Sequence, residues 1–316
     1  MRILIVTPAA TGSRKGNRIT ANRWRSLLRE NGHQVTVAET YTGQTCDLLI
    51  ALHARKSAGS IHQFAKAHPD RPLVVVLTGT DLYGDIATSR TAQRSLDMAH
   101  RLVLLQPDGQ RALKKRYRAK VRVIYQSLPK FKSSAQPLKT CFEVMVIGHL
   151  RAVKDPFRAA LAARRLPAES KIKIVHCGQA LSDSMRRQAE REMARNDRYH
   201  WLGELPRWQT LRRLSRSRLM VLSSRLEGGA NVVTEALACQ VPILSSRISG
   251  SIGLLGEDYP GYFDTGDTRA LTELLWRAEC DTQFYHSLVD ACRSCQWLIE
   301  PRLERETWEA LLAEFS

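Results

Sequence analysis

The chain has 316 residues, 43% of them hydrophobic and 25% charged, which is room for about two domains with cores of their own and excludes a disordered or fibrous chain. Forty-eight Lys and Arg against 31 Asp and Glu leave a net charge of +17, so the ligands or surfaces it meets are expected to be anionic. Seven cysteines without a regular framework exclude a secreted disulfide scaffold and point to a reducing compartment, with a cytoplasmic location expected.

The sequence opens MRILIVTP, an apolar run too short for a signal-peptide core that reads as a first strand. Short β-branched runs then recur at Ile3–Val6, Val35–Ala38, Leu48–Leu52, Leu73–Leu77, Leu102–Leu105, Val121–Tyr125, Val144–Ile147, Ile172–Val175, Leu219–Leu222 and Val241–Leu244. Amphipathic stretches of helical length lie between most of them, among them Ile19–Glu30, Pro156–Leu166, Asp183–Arg195 and Arg207–Ser215. Strand followed by helix, repeated, predicts parallel sheets covered on both faces, as the unbroken apolar run Leu73–Leu77 also requires. The rhythm breaks at Pro129–Thr140 (PKFKSSAQPLKT), where a linker is expected. The expected fold is α/β, two doubly wound domains facing a cleft: residues 1–137, residues 138–298, and a terminal segment 299–316 that returns to the first domain. No run approaches the roughly 18 apolar residues a membrane helix needs.

Ligands of doubly wound sheets bind at the carboxyl ends of strands, so the loops after strands are where chemistry is sought. Gly12-Ser13-Arg14-Lys15-Gly16-Asn17-Arg18 follows the first strand and precedes a helix, placing glycines and cations where an anion can bind, with a plain basic turn as the alternative. His53 ends another strand. Thr78-Gly79-Thr80-Asp81 follows the most hydrophobic strand of the first half; Asp81 suits a sugar hydroxyl or a base, and equally an N-cap or Asx-turn. Arg111, Lys114, Lys115, Arg116, Arg118, Lys120 and Arg122 form a basic run without an acid. Docking on a membrane is open to it but not favoured over a solvated helix end, and no nucleic-acid motif accompanies it.

In the second half, the loop Gly148–Pro156 carries Arg151 and Lys154, cations spaced to straddle a diphosphate. Further on, Ser223-Ser224-Arg225-Leu226-Glu227-Gly228-Gly229-Ala230-Asn231-Val232 joins a strand to a helix starting near Asn231. Gly228 and Gly229 allow close backbone approach, and free N–H groups at such a helix start hold phosphate. Glu227 in the loop and Glu235 one turn into the helix are acceptor-only groups suited to vicinal hydroxyls. Cys292 and Cys295 form a CxxC without a second pair, for which no zinc or redox role is expected. With no Asp-x-Asp, HExxH or Cys/His cluster, no essential metal or other cofactor is expected either.

Glu227, seven residues, Glu235, then Ala-Leu-Ala-Cys-Gln-Val-Pro-Ile-Leu-Ser-Ser, resembles the donor-site signature of the retaining GT-B glycosyltransferases, and the likeness extends over most of residues 143–278. It implies a GT-B fold with a nucleotide-sugar site in the C-terminal domain. Ile172–Gly178 looks like that family's strand-glycine segment, which brings in Gly178. Trp201–Pro206 looks like the turn that lies near the nucleobase, which brings in Leu205. The family has an arginine directly after the glycine at 148 and a lysine five residues later; Lys154 matches, His149 stands in the arginine's place, and Arg151 is the candidate substitute. The family also carries a histidine where this chain has Thr78. Its first loop closes over acceptor and donor phosphates, which implies an acceptor role for Gly12–Arg18. The combination of PAATGSRKGNRITANRW, ALHARKSA, LTGTDLYGD, GHLRAVKDP and SSRLEGGANVVTEAL is similar to the selenosugar synthases of selenoneine biosynthesis. That likeness implies a UDP-sugar donor (UDP-N-acetylglucosamine or UDP-glucose) and selenophosphate as the attacking partner. A peripheral-membrane transferase and a binding module without turnover remain the alternatives.

Overall fold

In the computed structural model, residues 1–13, 16–131, 136–138 and 140–315 are described. Contacts divide the chain into two units: residues 1–127, 227–231 and 300–316 make the first, residues 128–226 and 232–299 the second.

The first unit is built on six parallel strands, β1 (Arg2–Val6), β2 (Gln34–Ala38), β3 (Leu48–Leu52), β4 (Leu73–Leu77), β5 (Arg101–Leu104) and β6 (Val121–Val123), in the order β2-β1-β3-β4-β5-β6. Every residue of β3 and β4 is buried, because helices cover both faces and successive side chains alternate between them. Leu4, Leu49, Ala51 and Val75 enter one core layer. Ile3, Ile5, Leu48, Ile50 and Val74 enter the other, with Trp24 and Trp308. Trp24 comes from helix Gly16–Glu30 and Trp308 from the terminal helix Pro301–Ala313. Their rings meet edge to face, centroids 4.9 Å apart. Buried Glu304 ties this layer: it accepts from Trp24 Nε1 at 2.6 Å and from the Ser127 amide at 2.8 Å, and Arg23 lies 3.2 Å away.

The second unit repeats the plan with β7 (Phe142–Ile147), β8 (Ile172–Cys177), β9 (Tyr199–Trp201), β10 (Leu219–Leu222), β11 (Ile243–Ser246) and β12 (Tyr262–Phe263), ordered β12-β11-β10-β7-β8-β9 and parallel throughout. Three helices of this unit start with side-chain caps: Ser182 accepts from Met185, Asp267 from Ala270 and Asp281 from Phe284.

The α/β class with two doubly wound parallel sheets is the one the sequence predicts, and all ten expected strands form. The two further strands, β9 and β12, are three and two residues long at the outer edges, too short to show a period. The expected helix Pro156–Leu166 contracts to Arg158–Ala163, since Pro156 and Phe157 lie in a turn that follows left-handed Asp155. Strand order reverses between β1 and β3 in one sheet and between β7 and β10 in the other. Those reversals mark where each sheet opens a crevice at its carboxyl edge.

Among the described residues no helix is long and apolar enough to cross a membrane.

Candidate functional site

At the β7/β10 reversal of the second unit the loops are joined backbone to backbone. The Gly148 amide donates to Cys177 O at 2.9 Å and the Gly178 amide to Gly203 O at 2.7 Å. A side chain at Gly178 would place its Cβ 1.9 Å from Gly148 O, so only glycine allows this approach. The Gln179 amide donates to His149 Nδ1 at 3.2 Å. Ser223 Oγ donates to the carbonyls of Lys154 and Asp155 at 3.2 and 2.9 Å, and the Arg225 amide to Val153 O at 2.8 Å. His149, Arg151, Lys154, Gly178 and, through its Gly203 turn, Leu205 are thereby brought to one edge of the sheet. Arg151 is exposed and Lys154 half-buried.

Beneath this floor lies His176, fully buried in β8, one ring nitrogen 2.9 Å from Gly148 O and the other 3.0 Å from Tyr199 Oη. Burial drives its pKa down to about 4, so the ring is neutral at ordinary pH. Glu235 sits one turn into helix Asn231–Ala238, its side chain 13% exposed, 3.4 Å from Arg207 Nε; Val232 is half-buried beside it. Sequence reasoning missed His176 and Arg207. A histidine inside the apolar strand IKIVHC was the available signal for the first; for the second, only its place directly after Pro206.

In the first unit, the β1/β3 reversal gathers the loop after β1. Arg18 is only 6% exposed. Its Nη2 donates to Thr11 Oγ1 at 3.3 Å, while Nε and Nη1, buried, have no hydrogen-bond partner among the described residues, and neither has Thr7 Oγ1 at the end of β1. Glu39 accepts from the Thr11 amide at 2.8 Å, Gly12 has the left-handed φ of 80° that closes the turn, and the Ser13 amide donates to Ala10 O. Arg14 and Lys15 lie outside the described residues. Asn17 Nδ2 donates to Thr78 Oγ1 at 3.4 Å.

Residues 227–231 belong to this unit, and their glycines explain themselves there. A Cβ on Gly228 would stand 2.5 Å from the Thr78 carbonyl carbon, and one on Gly229 2.4 Å from Leu105 Cβ. Gly79, with φ 119°, is equally confined by Gly228, and Asn231 Nδ2 lies 3.7 Å from where a Gly16 Cβ would be. Ala230 is buried and Glu227 half-buried. Gly16, Asn17, Thr78, Gly79 and Gly228–Asn231 thus come together; Glu235, Arg151 and Lys154 belong to the other unit.

Asp81 is fully buried, and its oxygens are occupied by backbone: Oδ1 accepts from Thr78 and Gly79 amides at 2.9 and 3.0 Å, Oδ2 from Ala54 at 2.9 Å. It therefore braces the loops after β3 and β4 through amides that all precede it in the chain, which is neither the expected N-cap nor an Asx-turn. His53, at φ 77° and buried, lies 3.1 Å from Thr80 Oγ1 and 3.8 Å from Asp81; burial lowers its pKa.

The basic run is largely engaged within the chain. Arg111 pairs with Asp108, Arg116 with Asp97, and Arg122 with Glu314, while Lys120 Nζ donates to the carbonyls of Leu96, Asp97 and Ala99. Cys292 is buried and pushed up to about 11 by desolvation, opposite to what a reactive thiolate requires.

A family model described as glycosyl transferases group 1 matches residues 130–294. No curated protein matches. Among solved structures, Anabaena Alr3699/HepE in complex with UDP-glucose is similar at a TM-score of 0.77 and 17% identity, covering 99% of this chain and 100% of that one. Sucrose-phosphate synthase from Thermosynechococcus elongatus is similar at a TM-score of 0.79 and 15% identity, covering 99% and 98%. At such identities the likeness is one of fold.

Proposed function

The chain belongs to the group 1 glycosyl transferases, and on that premise we propose that it transfers a hexose from a UDP-sugar, UDP-N-acetylglucosamine or UDP-glucose, to selenophosphate. The observation that carries the anionic acceptor is Arg18, a guanidinium buried at the carboxyl edge of the first sheet with two nitrogens unmatched among the described residues. An unpaired buried charge costs several kcal/mol, and an oxyanion binding there offsets that cost. The net charge of +17 serves the same end by drawing two polyanions to the protein. The UDP-glucose bound to Alr3699/HepE supports the donor class.

In this reading Glu227 holds the sugar and Glu235 the ribose, with Arg207 keeping the Glu235 carboxylate oriented. Arg151 and Lys154 hold the diphosphate, His149 and Leu205 border the donor, and the Gly12–Arg18 loop holds the acceptor anion. Selenium forms its bond to the anomeric carbon as the bond from that carbon to the diphosphate oxygen breaks, and UDP leaves with the electron pair. The cations neutralise the charge that grows on it, so no metal is assigned to this step. Selenium is anionic and soft already, and it needs no strong base; a buried, fully bonded Asp81 is consistent with that. Water then cleaves the selenium–phosphorus bond of the seleno-phosphorylated sugar, giving the 1-selenosugar and phosphate.

Mass spectrometry of reactions containing selenophosphate and each UDP-sugar tests the proposal. A 1-selenosugar is expected with at least one donor; unchanged substrates across the panel would overturn it.

A further inference from the structure

At the opposite, amino-terminal end of the first sheet lies a cavity of about 500 Å³ that takes no part in the proposed reaction. Helix Ala58–Ala67 contributes His62 and Lys66, the turn after it His68 and Arg71, helix Arg90–Met98 Arg94, and the residue before β5 His100. Ala65, Pro69, Leu73 and Met98 complete the wall, and no Asp or Glu lines it among the described residues.

The polar groups are arranged to donate. His62 Nε2 is buried and has no hydrogen-bond partner among the described residues. Neither Lys66 nor Arg94 has a hydrogen-bond or ion-pair partner among the described residues. His100 Nδ1 accepts from the Leu73 amide at 3.1 Å, so the neutral ring carries its proton on Nε2 as a donor. Arg71 spends one nitrogen on Cys46 O at 2.7 Å, leaving the rest of its donors. His68 meets Tyr41 Oη at 3.1 Å through Nε2. Desolvation first, and then the nearby Arg94 charge, lower the His62 pKa. Among the described residues no three His, Cys, Asp or Glu side chains converge as metal ligands do, so a cation is not what the histidines await.

We propose that this cavity is a second ligand site, for a small phosphate-bearing anion held by Lys66, Arg71 and Arg94 with His62 and His100 donating. Three fixed positive charges match a multivalent phosphate, and planar guanidinium groups bind its oxygens in pairs. The volume is that of a small-molecule pocket. The competing explanation is that Lys66 only complements the carbonyl end of its helix while Arg94 is a solvated side chain on the face of its own; it predicts no ligand.

The full-length protein with ring-labelled histidines, titrated with pyrophosphate at low salt, distinguishes the two. The His62 and His100 signals, assigned with His62→Gln and His100→Gln, are expected to move along a saturating curve below about 10 mM, and the His62 titration midpoint to rise. Lys66→Gln with Arg94→Gln is expected to weaken saturation at least tenfold, while Lys66→Arg with Arg94→Lys retains it within a few-fold. A linear drift without saturation, an equal response from the Gln pair, or an equal response to citrate at matched ionic strength would overturn the proposal.

Discussion

Among the described residues Arg18 makes one side-chain hydrogen bond, to Thr11, while its Nε and Nη1 stay buried and unmatched. A residue kept for stability would not be left so. Arg18→Gln is therefore expected to move two properties in opposite directions. Losing charge-assisted bonds of about 1.5–3 kcal/mol each raises the acceptor KM roughly 10- to 100-fold, with donor affinity unchanged. Removing an uncompensated buried charge raises the stability of the ligand-free protein by about 1 kcal/mol, read from urea unfolding. A fall in both would show that Arg18 is merely structural. Glu235 makes the complementary case. Its carboxylate is mostly buried and has Arg207 at 3.4 Å, so Glu235→Ala removes an acceptor for vicinal hydroxyls and leaves Arg207 without that partner. UDP affinity by calorimetry is expected to fall roughly 10- to 100-fold, corresponding to about 1.4–2.8 kcal/mol; an unchanged affinity would remove Glu235 from the donor assignment. Both residues were legible in the sequence from their place after a strand and their spacing from glycines. Arg207 was not, because the pairing brings together residues on two helices and has no local pattern. Asp81 was legible as a polar residue after a strand, and only its depth and its three amide partners show that it braces two loops.

At the scale of elements, the loop Gly148–Lys154 rests on a strand whose buried histidine bonds the Gly148 carbonyl. His176 has its pKa lowered to about 4 in the folded protein against about 6.5 unfolded. Between these values the unfolded chain binds a proton that the folded chain refuses, so stability is complete above about pH 6.5 and declines as pH falls toward 4. The size is on the order of 3 kcal/mol. His176→Gln is expected to flatten that part of the pH dependence of the unfolding free energy, and a slope equal to wild type would contradict it. The terminal helix supplies the second case. Glu304 removed as Glu304→Ala leaves Trp24 Nε1, the Ser127 amide and Arg23 without their buried carboxylate, for an expected loss of about 3–5 kcal/mol. Urea unfolding followed by tryptophan fluorescence, to which buried Trp24 contributes with the chain's other five tryptophans, reads that loss. Apolar period made the strands and most helices readable, and β9 and β12 escaped because two or three residues carry no period. His176 and Glu304 escaped for another reason: they are polar residues inside apolar patterns, and their partners lie 28 and 280 residues away in Gly148 and Trp24.

For the molecule as a whole, two sheets with reversals in strand order leave their chemistry-bearing loops at carboxyl edges. The excess of positive charge is spread over structural pairs, the loop after β1, and the separate cavity near His62. The basic run Arg111–Arg122, conspicuous in the sequence, is in large part consumed by Asp97, Asp108, Glu314 and helix-end carbonyls. Composition indicated that anions matter, while burial tells which cations are available for them. Phosphorus NMR of the purified protein with a UDP-sugar and selenophosphate reads the central claim most directly, because donor, acceptor and both phosphorus-bearing products are resolved in one spectrum. UDP and inorganic phosphate are expected to grow in equal amounts, only when both substrates are present. UDP appearing at the same rate without selenophosphate, or selenophosphate left intact while UDP accumulates, would contradict it.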